Sequence, residues 1–127
     1  MEAPVKELLA VALGGAFGAA SRYLLALGAK AWLPPGFAWG TWVANVLGCL
    51  LFGLILEGPV RTGGLGPTAR LAITTGFLGA LTTFSTFGWE TMQAWDRGLG
   101  PALLNVAANL AVGLFAVWLG ATAGRAL

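Results

Sequence analysis

Apolar residues run through this chain in long blocks with few interruptions. Three windows, 31–56, 71–89 and 98–124, contain no charged residue. A fourth, 8–27, contains only Arg22. A helix rises about 1.5 Å per residue, so each block is long enough to cross about 30 Å of hydrocarbon. Turn-forming residues fall between the blocks: Pro34, Pro35 and Gly36 after the first; Gly58, Pro59, Gly63, Gly64, Gly66 and Pro67 after the second; Gly98, Gly100 and Pro101 before the last. The pattern predicts four helices, roughly 6–32, 37–57, 69–96 and 100–124, joined by short loops in one compact all-α membrane domain. Nothing left over in the 127 residues is long enough for a soluble domain. The first window is read as a helix and not as a signal peptide, because Glu2 and Glu7 outnumber Lys6 where a basic leader would be needed.

Composition agrees with the pattern. Hydrophobic residues make up 57% of the chain and charged residues 9%, far below the roughly 25% that coats a soluble domain. The absence of His, and the lone Cys49 inside an apolar window, exclude the usual transition-metal sites, a disulfide framework and a Cys-His nucleophile pair. An enzyme is therefore not expected. The seven basic residues stand singly at helix ends, as bilayer flanks do, which argues against nucleic-acid binding. Gly14 and Gly15 have neither the preceding strand nor the full glycine fingerprint of a phosphate loop. Gly14 with Gly18, and Gly40 with Ala44 and Gly48, have instead the spacing of close helix packing.

Orientation is weakly specified. With four helices, Lys6, Arg61, Arg70 and Arg125 share one side, while Lys30, Arg97 and Arg22 belong to the other. So small a bias lets a chain insert both ways and pair with an inverted copy of itself; the alternative is that Arg22 is buried and uncounted, which leaves a modest preference for the N-terminus inside.

Polar groups in hydrocarbon are costly, so each needs a partner or a role. Asn45 lies mid-window in the second helix, fit for an interhelical hydrogen bond or for lining a polar path. Asn105, Asn109 and Gly113 draw a narrow stripe along the fourth helix. In the third, Gly76, Gly79 and then Thr82, Thr83, Ser85 and Thr86 lie where a helix should be most apolar. This run predicts a break near 79–83, tolerated at membrane depth only when buried in protein or lining a cavity. The alternative is a continuous helix bent by hydroxyls bonding back one turn. Freed carbonyls suit an alkali cation and freed amides suit an anion. Phe84 and Phe87 share a face beside this run, and aromatic ring edges carry the positive end of the quadrupole. Glu90, one turn on, is a candidate proton carrier, ion gate, or partner for Arg22 or Arg97. Arg22 either snorkels to the interface or lends positive potential to a vestibule.

Three segments, Gly14-Gly15-Ala16-Phe17-Gly18-Ala19-Ala20-Ser21-Arg22-Tyr23, Gly40-Thr41-Trp42-Val43-Ala44-Asn45-Val46-Leu47-Gly48 and Gly76 through Phe87, resemble the CrcB/Fluc fluoride channels over nearly the whole chain. The resemblance implies an antiparallel, dual-topology homodimer in the cell membrane that passes fluoride passively and lowers its toxicity. It also implies a structural sodium ion at the dimer centre, held by the backbone carbonyls of Gly79 and Thr82. It places the fluoride pathway on Asn45, Phe84, Phe87, Ser85, Thr86 and Asn109, with Arg22 in a vestibule and Glu90 following the motif. Ala80, Gly88 and Asn109 depart from the family pattern, the last replacing a small hydroxyl residue with another hydrogen-bonding group. The competing class is a small proton-coupled four-helix exporter, which needs a carboxylate inside the membrane; the first three windows hold none away from their ends.

Overall fold

The computed structural model describes residues 2–127. Helices account for nearly all of them, and no strand occurs among the described residues. Four segments are long and apolar enough to cross a membrane: Ala3–Trp32, Trp39–Val60, Pro67–Arg97 and Leu99–Arg125. The shortest has 22 residues and so reaches about 33 Å. We label the first two α1 and α2, the two parts of the third α3 (67–81) and α4 (Phe84–Arg97), and the last α5 (Leu99–Arg125). Successive segments run antiparallel. The α1–α2 turn and the α4–α5 turn share one end of the bundle, where Arg97 Nη1 donates to the Gly36 carbonyl at 3.0 Å. At the other end Arg125 and Arg61 both pair with Glu57, at 3.3 and 3.7 Å.

Small residues let the helices approach backbone to backbone. A Cβ added at Gly120 would collide with the Leu50 carbonyl, one at Gly53 with the Val117 carbonyl, and one at Gly14 with the Ala72 carbonyl. The first two contacts join α2 to α5, the third α1 to α3. Because lipid supplies no hydrophobic force between helices, this close contact is what holds them. Large apolar side chains, among them Leu13, Phe17, Leu114 and Trp118, point outward, whereas the buried core is largely Ala44, Leu78, Leu81, Ala94, Ala102 and Ala116. That inversion of the soluble pattern suits a protein solvated by hydrocarbon.

Three wide π-helical turns interrupt the helices, at Leu56–Val60, Ala72–Leu78 and Ala108–Val112. The first contains Pro59, which has no N–H to donate. The third carries Asn109.

Between α3 and α4 the backbone leaves the helical region at two residues only. Thr82 has φ −80°, ψ 155° and Thr83 has φ −151°, ψ 118°, both extended. The irregular stretch is thus narrower than 79–83, because Gly79–Leu81 remains helical. Both the N–H and the hydroxyl of Thr82 donate to the Leu78 carbonyl, at 3.1 and 3.0 Å, and so close the end of α3. Thr83 then caps α4, its hydroxyl accepting from the Thr86 N–H at 3.2 Å.

Candidate functional site: a polar network around Thr83

Asn45, on the inner face of α2, reaches the two-residue interruption and binds its backbone on both sides. Its Oδ1 accepts from the Thr83 N–H at 2.7 Å, and its Nδ2 donates to the Thr83 carbonyl at 3.2 Å. The side-chain amide takes the place of a missing helical neighbour. Gly48, one turn further along α2, lies against the same interruption, where an added Cβ would collide with the Thr82 methyl.

The other Nδ2 hydrogen of Asn45 goes to Asn109 Oδ1 at 3.1 Å. Asn109 in turn donates to the carbonyl and to Oδ1 of Asn105, at 3.0 and 3.2 Å, and Asn105 Nδ2 donates to Thr91 Oγ1 at 2.8 Å. Thr91 completes the chain by donating to the Phe87 carbonyl at 2.8 Å. Thr83, Asn105 and Asn109 are buried, so each amide's orientation is set by its neighbours. A directional ladder therefore links α2, α4 and α5 around the interruption. On the other side of Thr83, its hydroxyl donates to Thr86 Oγ1 at 3.0 Å and lies 3.3 Å from Ser85 Oγ.

A cavity of about 300 Å³ opens against this network, lined by Asn45, Thr82, Thr83, Phe84, Phe87 and Asn109 among others. The rings of Phe84 and Phe87 tilt at 53° with centroids 5.4 Å apart. Phe87 is buried, whereas Phe84 is 80% exposed. Glu90 lies one turn further along α4. Its Oε1 accepts from the Thr41 hydroxyl at 2.9 Å, while its buried Oε2 has no hydrogen-bond partner among the described residues.

The structure thus brings together Asn45, Phe84, Phe87, Ser85, Thr86 and Asn109, and sets Glu90 beside Thr86 in an adjoining cavity. Glu90 pairs with neither Arg22 nor Arg97; the ion pairs among the described residues are those of Glu57. Arg22 stands apart and lines none of the cavities that hold Asn45, Phe87 or Glu90. Gly79 and Thr82 flank the end of α3. Thr83, Asn105, Thr91 and Thr41 join the network although sequence reasoning had not selected them as site residues. Thr41 carried a signal in lying one turn before Asn45 on the same helix face, and Asn105 in its spacing from Asn109.

No group of three His, Cys, Asp or Glu residues fit to hold a metal occurs among the described residues. The side chains lining the cavity beside Asn45 offer an ion hydroxyls, amides, the Cys49 thiol and ring edges, and no charged group among the described residues lines it. A multi-pass helical membrane protein with a neutral polar site at an interrupted helix is the class that fold and site define. The family model described as "CrcB-like protein, Camphor Resistance (CrcB)" matches residues 9–121, and the chain belongs to that family. It is 46% identical over 121 residues to the fluoride-specific ion channel FluC of Geobacter sulfurreducens, covering 94% of this chain and 98% of that one. It is 47% identical over 120 residues to the fluoride-specific ion channel FluC of Acidobacterium capsulatum, covering 94% and 96%. These relatives are named as ion channels, not enzymes.

Proposed function

We propose that the chain is a fluoride channel of the cell membrane, passing fluoride passively out of the cell. The observation that carries the reading is the identity of nearly half the residues, over 94% of the chain, with relatives named for that activity. The site chemistry supports it. Hydrogen fluoride enters cells neutral and ionises inside, so fluoride leaves only where a membrane path offers it partners. Hydroxyls, amide N–H groups and phenylalanine edges can replace its water without a full positive charge that would trap it.

One chain of this size does not enclose a path, since Phe84 and one face of the cavity beside it are open to the surroundings. The channel is accordingly a homodimer with an inverted second copy, as the near-balanced charges at the two ends allow. A structural sodium ion is held at its centre by the Gly79 and Thr82 carbonyls. The residues present fit such an ion, because both carbonyls lose the donors a continuous helix would give them. The Thr83 N–H goes to Asn45 instead of Gly79, and the Thr86 N–H goes to Thr83 Oγ1 instead of Thr82. Bare backbone carbonyls are hard oxygen donors, suited to an alkali cation. When bound, sodium supplies positive charge at the dimer centre; this chain's own part is to free those two oxygens.

A proton-coupled exporter is distinguished by its driving force. Proteoliposomes loaded with fluoride, with the same pH inside and out, are expected to empty down the fluoride gradient alone and to retain chloride under the same conditions. Efflux that requires an imposed pH gradient would replace the channel with the exporter, and equal efflux of both halides would remove the selectivity.

A further inference from the structure

Beyond the site around Asn45, three adjoining cavities converge on Glu90 from the end of the bundle that carries the α1–α2 turn. One, of about 630 Å³, is lined by Lys30, Thr41, Thr86 and Glu90. Two others, of about 330 and 420 Å³, are each lined by Glu90 and Arg97 together with Gly36 and Phe37. From the exposed residues inward, the polar groups lie in this order: Lys30 and Arg97 on the cavity walls, Thr41 hydrogen-bonded to Glu90, Thr86 lining the same cavity and hydrogen-bonded to Thr83, then Asn45. On the channel reading, this is the outer end of the path to the central site.

Its charge presents a difficulty. Glu90 is the carboxylate on that route, with one oxygen unpaired, and by itself it would repel an approaching anion. The two cations on the cavity walls are the groups able to reverse the local sign. Lys30 and Arg97 are exposed, and neither forms an ion pair with a carboxylate among the described residues, so their fields are not spent on a neighbour. Arg97 is also held in place by its bond to the Gly36 carbonyl. Asp96 is exposed nearby but lines none of the three cavities. We propose that Lys30 and Arg97 form an electropositive mouth that gathers small anions above Glu90 and delivers them to Thr41 and Thr86. The role rests on the channel reading but assigns to these two side chains a task that the site around Thr83 does not contain.

Because both cations are exposed, they act through space, and salt governs their reach. The screening length is about 30 Å at 0.01 M and about 3 Å at 1 M. The test compares fluoride efflux from proteoliposomes for the unchanged chain and the Lys30→Gln/Arg97→Gln variant, with ionic strength set by potassium gluconate. At about 0.01 M the variant is expected to be about tenfold slower, within the range that electrostatic focusing gives. At about 1 M the two rates should agree within about twofold. Lys6→Gln, which removes a cation at the opposite end of α1, should match the unchanged chain at both concentrations. Equal rates at low salt overturn the mouth while leaving the channel standing. A slowing of the same size at both concentrations also overturns it, because it marks a structural defect and not a field. An unchanged chain that passes no fluoride overturns the channel reading and the mouth with it.

Discussion

Replacing Asn45 with Leu is expected to lower fluoride flux by tenfold or more and to destabilise the folded protein. Leu keeps the branched outline of Asn but can neither accept from the Thr83 N–H nor donate to the Thr83 carbonyl, so both are left buried without their partner. Each unsatisfied group of that kind costs about 1–3 kcal/mol. The loss extends outward, since Asn109 Oδ1 would also lose its donor. Asn45→Asp separates the two roles of this side chain. The carboxylate still accepts from the Thr83 N–H, so the fold is expected to survive better than in Asn45→Leu. Its negative charge faces the same cavity, however, and flux should be lost just as completely. Melting curves and halide efflux on the two variants check this pair of outcomes. If both variants melt and conduct like the unchanged protein, Asn45 is not the tie that holds the interruption.

Phe84→Ile has the second large effect. Phe84 is 80% exposed in the single chain, so its ring contributes little to the chain's own packing. Exposed substitutions usually shift stability by less than about 0.5 kcal/mol. The variant should therefore fold and elute as the unchanged protein does, yet pass fluoride at least tenfold more slowly, because Ile removes the electropositive ring edge while keeping an apolar side chain. Phe87→Ile should lose flux similarly, at some additional cost in packing, since Phe87 is buried. Normal flux through Phe84→Ile would reduce the aromatic pair to packing.

The helices were the most legible part of the chain. A window without charge, bounded by Pro and Gly, is a strong signal, and Trp39–Val60 and Leu99–Arg125 follow directly from it. The small-residue faces were legible for the same reason: a glycine at helical spacing in hydrocarbon has little purpose beyond close approach, and Gly14 and Gly48 both sit against a neighbour. The polar stripe on α5 was visible as spacing, though its partners were not. Spacing within one helix gives the face on which Asn109 lies, but not that Asn45 on another helix would present an Nδ2 hydrogen to it. The pairing of Asn45 with the Thr83 backbone was hidden for a related reason. The sequence shows residues that weaken a helix, whereas the hydrogen bonds that stabilise the alternative come from 38 positions away. Arg22 illustrates the limit for charges: an arginine inside an apolar window signals cost, but whether it faces a cavity depends on the rotation of α1. Here the cations that line the cavities are Lys30 and Arg97, which look in sequence like ordinary helix-end residues.

The central claim is a passive pore selective for fluoride, and the most direct measurement is the reversal potential of purified protein in a planar bilayer. With a tenfold fluoride gradient and symmetrical chloride, the current is expected to reverse close to the fluoride equilibrium potential, about 59 mV for one charge. Reversal near zero under those conditions, or a potential that follows a chloride gradient instead, would contradict it.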